Sequence, residues 1–496
     1  MGFFLPGMKH VKPLLRHLML ACLYWVLGLL AGGAWLLGYV VDARPDLEPW
    51  HEVVLQQEYD HHRHRDFQSL AQYQQLEAEL FAELEQTIYS APGPLPELSR
   101  YRHGSRVDPT AYPENGNRTL ELTAAEPRGG VLLLHGLSDS PYSLLTLARS
   151  LNRHGYHVVV LRLPGHGTVP SGLLNASAED FRAAVRLAMR HLRQSLAPAL
   201  PIHMVGYSNG AALAVDYALD GLQASPVEPL PAVARLVLIS PAIGVSRLAE
   251  LAPWQRRVAA LPGFGKLAWQ SVQPEYDPFK YNSFSLNAAE QVYRLTQSIT
   301  QRLEQARQTG QLERFPPTQV FTSAVDATVS VAATVQGLMG KLSGDQYQLV
   351  MYDVNQESNT RFLFAPHAVA VVEQLLAQTL PFRLEVLTNG PTDSARLVRQ
   401  VKAAGADEVL EQATDLVWPA SLYSLSHVAL PFAPSDPVYG DVPTLEGRPQ
   451  SLGNVTLRGE RGVLQVPLNQ LMRLRYNPFY DDQEQRILTF LDRSFP

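Results

Sequence analysis

Ile202-His203-Met204-Val205, Gly206-Tyr207-Ser208-Asn209-Gly210 and Ala211-Ala212-Leu213-Ala214-Val215 read in succession as a buried strand, a sharp turn and a helix. A serine between two glycines at such a junction is the context of a nucleophile elbow. The turn is tight enough to require glycine at its flanks, and it pushes the serine hydroxyl out of the top of a sheet. Five residues also match by chance, as a glycine-rich turn carrying an incidental serine. The neighbouring sequence has to separate the two readings.

Upstream, Val131-Leu132-Leu133-Leu134 is a continuous apolar run suited to a central parallel strand, and it ends in His135-Gly136-Leu137. A helix follows over about 141–154 and Gly155 stops it. A strand at 157–161, Pro164-Gly165-His166-Gly167 and a helix over about 178–195 complete the approach. Downstream, strands are expected at 235–239, 318–322, 347–352 and 383–387, and a final helix near 482–491. Strands alternating with helices imply a parallel sheet covered on both faces.

Segment 246–317 breaks the rhythm. Its aromatics include Trp254, Phe264, Trp269, Tyr276, Phe279, Tyr281 and Phe284. It reads as a lid over a pocket, with a helical pad on the core as the plain alternative. Segment 353–420 reads as a second insertion. Segment 46–112 combines a helix, with Leu70, Tyr73, Leu80, Leu84 and Ile88 near one face, and a Pro-rich linker through Pro92-Gly93-Pro94. It is expected to be a stalk or a packing helix. His61-His62-Arg63-His64 reads as a solvated face rather than a metal site.

The chain has 496 residues, 46% hydrophobic and 18% charged, which is ordinary for a folded protein with a large core. A net charge of −6 without long charged blocks argues against nucleic acid as a partner. One cysteine, Cys22, excludes a disulfide framework or a cysteine-ligated metal within the chain. From His17 to Val41 no side chain is formally charged. As a helix this run spans roughly 37 Å, enough to cross a hydrocarbon core of about 30 Å. Lys9, Lys12 and Arg16 precede it; Asp42, Asp46 and Glu48 follow. Residues 1–45 are therefore expected to form a cytoplasmic tail and a membrane anchor, with the remainder on the outer side. A signal peptide cleaved near Val41-Asp42-Ala43 is the rival reading.

A serine hydroxyl needs a base to take its proton, and the base needs an acid to orient it. In this architecture the chain order is serine, acid, histidine. Ser208, Asp326 and His427 obey it. Asp326 follows a strand, although a helix cap is a common role for such a residue, and Asp353 and Asp415 are reserves. His427 follows a strand-like run and enters a Pro-rich loop; His367 is nearer but stands at the start of a helix. Two backbone N–H groups must face the developing oxyanion, and Asn209 and Leu137 are the candidates. No metal or organic cofactor is implied.

Together, His135-Gly136, Pro164-Gly165-His166-Gly167, Gly206-Tyr207-Ser208-Asn209-Gly210, the Asp326 segment and His427 resemble the α/β-hydrolase superfamily. The branch is the one containing monoacylglycerol lipases, lysophospholipases and serine aminopeptidase-like hydrolases. The resemblance covers about 118–340 and the region near His427; Asn209 stands where that branch often has methionine. It implies an α/β-hydrolase fold in 113–245 and 318–496, with a lid insertion at 246–317 and an N-terminal transmembrane helix. The implied activity is acyl-ester cleavage through a triad and an acyl-enzyme, on a lipid-like substrate such as a monoacylglycerol or lysophospholipid. An acyltransferase using the same triad and a non-catalytic membrane scaffold are the alternatives.

Overall fold

The computed structural model describes residues 11–90, 93, 95–223, 230–244, 258–259, 261–357, 362–391, 395–443, 449–453 and 468–493. Its centre is a ten-stranded sheet. The strands are β1 (Leu120–Leu122), β2 (Gly129–Leu134), β3 (Tyr156–Leu161), β4 (Ile202–Tyr207), β5 (Arg235–Ile239), β8 (Thr318–Ser323), β9 (Gly344–Tyr352), β10 (Phe382–Asn389), β11 (Arg396–Lys402) and β12 (Leu410–Val417). A separate two-stranded ribbon pairs β6 (Trp269–Ser271) with β7 (Phe284–Ser285). The large sheet runs β1-β3-β2-β4-β5-β8-β9-β10-β11-β12. From β3 to β10 the pairs are parallel, while β1, β11 and β12 pair antiparallel at the two edges. This is an α/β-hydrolase fold.

Strands β2, β3 and β4 are buried along their whole length, which is why their sequences are runs rather than alternations. One face packs on helices α4 (Ala178–Ser195), α5 (Asn209–Leu222) and α6 (Leu286–Gln308). The other packs on α3 (Leu145–Arg153) and α8 (Tyr480–Asp492).

Of the two readings of segment 46–112, stalk or packing helix, the structure shows the packing helix, and two other expectations change. The segment's helix α2 (Leu70–Leu84) starts at a Ser69/Gln72 capping box and buries Leu70, Tyr73 and Leu76 against the catalytic core, while Leu80 and Leu84 pack in a second cluster with Trp50, Tyr101 and Val169. The Tyr73 hydroxyl donates to the Arg162 carbonyl at 2.8 Å, and the buried Arg162 guanidinium is held by Glu77 (2.7 Å) and Glu58 (3.0 Å). The apolar stripe needed a partner, and the outer face of α4 and β3 supplies it. Segment 353–420 is not an excursion from the sheet but its continuation, as β10, β11 and β12 beside α7 (Pro366–Leu376). The polar strands β11 and β12 escaped sequence reading because β12 is largely exposed. In 246–317, α6 is core: Leu295, Ile299 and Leu303 are buried in the same cluster as α5. Of the part before it, 245–257, including Trp254, lies outside the described residues.

Helix α1 (Val11–Asp42) is the one helix among the described residues long and apolar enough to cross a membrane, and its apolar window is unburied. Just beyond it, the Arg44 guanidinium donates to the carbonyls of Lys266 (3.0 Å) and Trp269 (2.6 Å), and Lys266 Nζ bonds Asp46 at 2.7 Å.

Candidate active site

The polypeptide leaves β4 through Ser208 and enters α5 without a loop. Ser208 has φ 54° and ψ −114°, a conformation costly for a residue with a Cβ. Its backbone is locked: the N–H donates to the Ile239 carbonyl (2.9 Å), and its carbonyl accepts from Ala211 (3.1 Å) and Ala242 (3.1 Å). The flanking glycines are required by space rather than by positive φ. A Cβ on Gly206 would lie 2.4 Å from Ala211 Cα, and one on Gly210 would lie 2.0 Å from the Leu134 carbonyl oxygen. Helix α5 therefore presses directly on the ends of β4 and β2, and Ser208 is forced to the apex. Among the described residues its hydroxyl forms no hydrogen bond.

Asp326 lies in the turn after β8, at the same sheet edge. Its two oxygens have separate tasks. Oδ1 accepts from the Thr328 N–H (2.8 Å) and the Val329 N–H (3.0 Å), the capping role. Oδ2 lies 2.8 Å from His427 Nδ1. Burial pushes this carboxyl upward in pKa, but His427 and the two backbone N–H groups outweigh it, and the net shift is downward. His427 opens a short 3-10 turn, His427–Ala429, and is buried. Its ring stands 5.3 Å from the ring of Tyr207, the residue before the serine, and the Tyr207 hydroxyl is 3.4 Å from its carbonyl oxygen. His367 is exposed in the first turn of α7, and Asp415 is exposed on β12. Asp353 is buried but bonds Thr388 (2.7 Å) and Gln356 (2.7 Å), and no histidine among the described residues bonds it.

Asn209 follows the serine directly, and the loop that carries Leu137 approaches it through Gly136, where an added Cβ would lie 3.1 Å from the ring of Tyr207. Asn209 is the first residue of α5, where N–H groups lack helical acceptors. The Leu137 loop is fixed by two buried histidines. His135 Nε2 accepts from the Leu163 N–H (3.0 Å), so its proton is on Nδ1 and donates to the Gly136 carbonyl (2.8 Å). Burial holds this imidazole neutral by lowering its pKa far below the usual value. In a trans peptide the carbonyl and N–H point oppositely, so fixing the Gly136 carbonyl aims the Leu137 N–H. His166 Nε2 lies 2.6 Å from the Leu137 carbonyl, bracing the next peptide. Sequence reading quoted both histidines in motifs; only the fold shows what each of them holds.

A cavity of about 230 Å³ opens beside this loop, lined among others by Ser138, Tyr276, Lys280, Phe284 and Val428. Lys280 Nζ bonds Asp139 (2.8 Å) and Ser138 Oγ (2.7 Å), and the Tyr281 N–H donates to the Ser138 carbonyl (2.8 Å). The aromatic-rich segment is thus bolted to the Leu137 loop. His61, expected on a solvated face, sits 2.8 Å from Asp180, a carboxylate brought in by α4.

The sheet order, the strained serine and the acid–histidine pair define the chain as an α/β hydrolase in architecture. Residues 125–354 match the family described as Serine aminopeptidase, S33, and within that span the chain is similar to the serine aminopeptidase-like branch. It is 34% identical over 112 residues to Lipase 1 of Psychrobacter immobilis, covering 22% of this chain and 31% of that one. It is 30% identical over 120 residues to the thermostable monoacylglycerol lipase of Bacillus sp. (strain H-257), covering 24% and 43%. The chain thus spans well under half the length of the curated relatives it matches. Among solved structures, the monoacylglycerol lipase of Paleococcus ferrophilus aligns at TM-score 0.35 and 18% identity, over 47% of this chain and 87% of that one.

Proposed function

We propose that the chain is a membrane-anchored serine hydrolase that cleaves acyl esters. The observation that carries this reading is the 2.8 Å Asp326–His427 contact at the sheet edge where Ser208 stands in its strained turn. His427 Nε2 takes the Ser208 proton as the hydroxyl attacks the acyl carbonyl, and returns it to the leaving alcohol. Asp326 holds Nδ1–H and stabilises the imidazolium that forms. The Leu137 and Asn209 N–H groups receive the oxyanion; losing one such donor typically costs about 3–4 kcal/mol in the barrier. Water, activated by the same imidazole, then releases the acid.

The substrate class is a lipid-like ester, a monoacylglycerol or lysophospholipid. Supporting it are the apolar helix α1, the relatives named as lipases, and Tyr276, Tyr281, Phe284 and Phe432 in a cavity lining that also carries Lys280, Arg473 and Arg475. Helix α1 anchors the protein, with the basic Lys9, Lys12 and Arg16 on the cytoplasmic side and the catalytic domain on the outer side. A fluorophosphonate probe should label the wild type and not Ser208→Ala; equal labelling rejects the mechanism. A substrate panel in which only short soluble esters or peptides turn over rejects the lipid class. Release of the mature chain from membranes by carbonate extraction, with a new N-terminus near Ala43, rejects the anchor.

A further inference from the structure

At the sheet edge opposite Ser208, three side chains from three elements converge. Glu121 is the middle residue of β1, which runs antiparallel to β3 with Glu121 opposite Val159. His157 is therefore its diagonal neighbour on the same face. That face is the one covered by α4, and His191 of α4 completes the group. A single oxygen, Glu121 Oε1, lies 2.7 Å from His157 Nε2 and 2.7 Å from His191 Nε2. The imidazoles meet at 73° with centroids 6.5 Å apart. His157 is buried, while Glu121 and His191 are partly open to solvent.

We propose that Glu121, His157 and His191 form a binding site for a transition-metal dication of the zinc type, which fastens β1 to β3 and α4. The donor set decides the class of ion. Two imidazoles and one carboxylate suit zinc and its neighbours, whereas calcium and magnesium take mostly oxygen ligands. The three ligand atoms already lie within 4.8 Å of one another. A tetrahedral zinc with bonds of about 2.0–2.2 Å sets its ligands about 3.3 Å apart, so Glu121 has to withdraw by about half an ångström and the two imidazole nitrogens, at most 4.8 Å apart, have to settle at the same spacing. The partly exposed Glu121 side chain has room to withdraw. Each imidazole then binds through Nε2 and keeps its proton on Nδ1. The solvent side leaves a fourth position for water.

The fold gives such a clip a purpose. Strand β1 has three residues, all half-buried, at the edge of the sheet, so its own ladder is too short to hold it strongly. His157 is near the N-terminal end of β3 and Ser208 follows the C-terminal end of β4, and the parallel register puts the two sites at opposite edges. The ion is structural and takes no part in the chemistry at Ser208.

The test uses the full chain without a histidine tag, stripped with a chelator and titrated with zinc or magnesium. The wild type should bind one equivalent of zinc that His191→Ala and Glu121→Gln do not bind. At a hundredfold excess over Kd its melting temperature should rise by about 3 °C, with no response to magnesium. Cobalt should give the visible bands of a four-coordinate site in the wild type alone. Metal-free melts of the two variants check that they fold. No zinc-dependent shift in the wild type overturns the proposal. So does equal binding by wild type and both variants, which would put the ion elsewhere, for example beside Asp60, His61 and Asp180.

Discussion

Replacing Asp326 by asparagine removes one charge and adds two hydrogens, and the surroundings dictate where those hydrogens go. The Thr328 and Val329 N–H groups donate to Oδ1 and require an acceptor there. The amide must therefore place its oxygen at Oδ1 and its NH₂ at the position of Oδ2, 2.8 Å from His427 Nδ1. Two donors cannot face each other, so the imidazole proton moves to Nε2. That nitrogen then has no lone pair for the Ser208 proton. The Asp326 side chain is 0% exposed, so water cannot replace the lost acceptor. The expected loss is about 10⁴-fold in kcat, the size seen when a triad histidine is held in the wrong tautomer. At 1.36 kcal/mol per decade this is about 5.4 kcal/mol of transition-state stabilisation.

The assay is turnover of a monoacylglycerol or p-nitrophenyl ester, with KM and melting temperature measured alongside. KM should change little, since the ground-state ester does not touch residue 326. Asp353→Asn is the control: it removes an equally buried carboxylate bonded to Thr388 and Gln356, and should cost stability but leave kcat within a few-fold. A folded Asp326→Asn protein with kcat within tenfold of wild type would refute the reasoning. A 10⁴-fold loss in the Asp353 variant instead would move the acid to that strand end.

Three further outcomes follow from the same geometry. Gly210→Ala drives a Cβ to 2.0 Å from the Leu134 carbonyl and 2.6 Å from that of His135; it should cost about 1–3 kcal/mol or more and lower kcat by displacing the Leu137 loop, as melts and turnover would record. Asn209 buries both amide atoms with no partner among the described residues; Asn209→Met should stabilise by about 1 kcal/mol and keep kcat, because the proposed oxyanion donor is backbone, and a lowered melting temperature would count against it. Glu275 is pushed up to about 7 by burial, against the pull of Arg100. The folded state therefore holds a proton that the unfolded state loses from about pH 4.5, and stability should fall between there and about pH 7. Glu275→Gln should flatten that part of the stability–pH curve, and an unchanged slope would contradict the assignment.

The elbow was legible because it combines a continuous apolar strand, a glycine pair with a steric cause and a helix, all local in sequence. Ser208, Asp326 and His427 could be named in order for the same reason: each follows a strand-like run. What escaped reading was non-local. Nothing in Arg396–Lys402 or Leu410–Val417 advertises a strand, because neither the partly buried β11 nor the largely exposed edge strand β12 carries the apolar signal of β2 or β3. The docking of α2 depended on Arg162, which in sequence is merely the residue after β3. His135 and His166 stood out by motif, yet their work is visible only through the carbonyls they meet.

The extended sheet also explains why acid and base are separated by 101 residues. Between them the chain builds β9, β10, β11 and β12, and ends β12 four strand positions from β8. At about 4.8 Å per position the return is about 19 Å. Residues 418–426 can span about 30 Å when extended, so the distance is within reach with slack to spare. The slack is taken up by anchors. Trp418 and Leu425 are buried in the core cluster shared with α8. The Asn355 N–H donates to the Tyr423 carbonyl (2.8 Å) and its Nδ2 to the Leu422 carbonyl (2.9 Å), pinning the strap over the end of β9. His427 emerges from this strap directly beside Tyr207. The strands after Asp326 are therefore part of how the imidazole reaches its acid, since the length and anchoring of their return path set where His427 can stand.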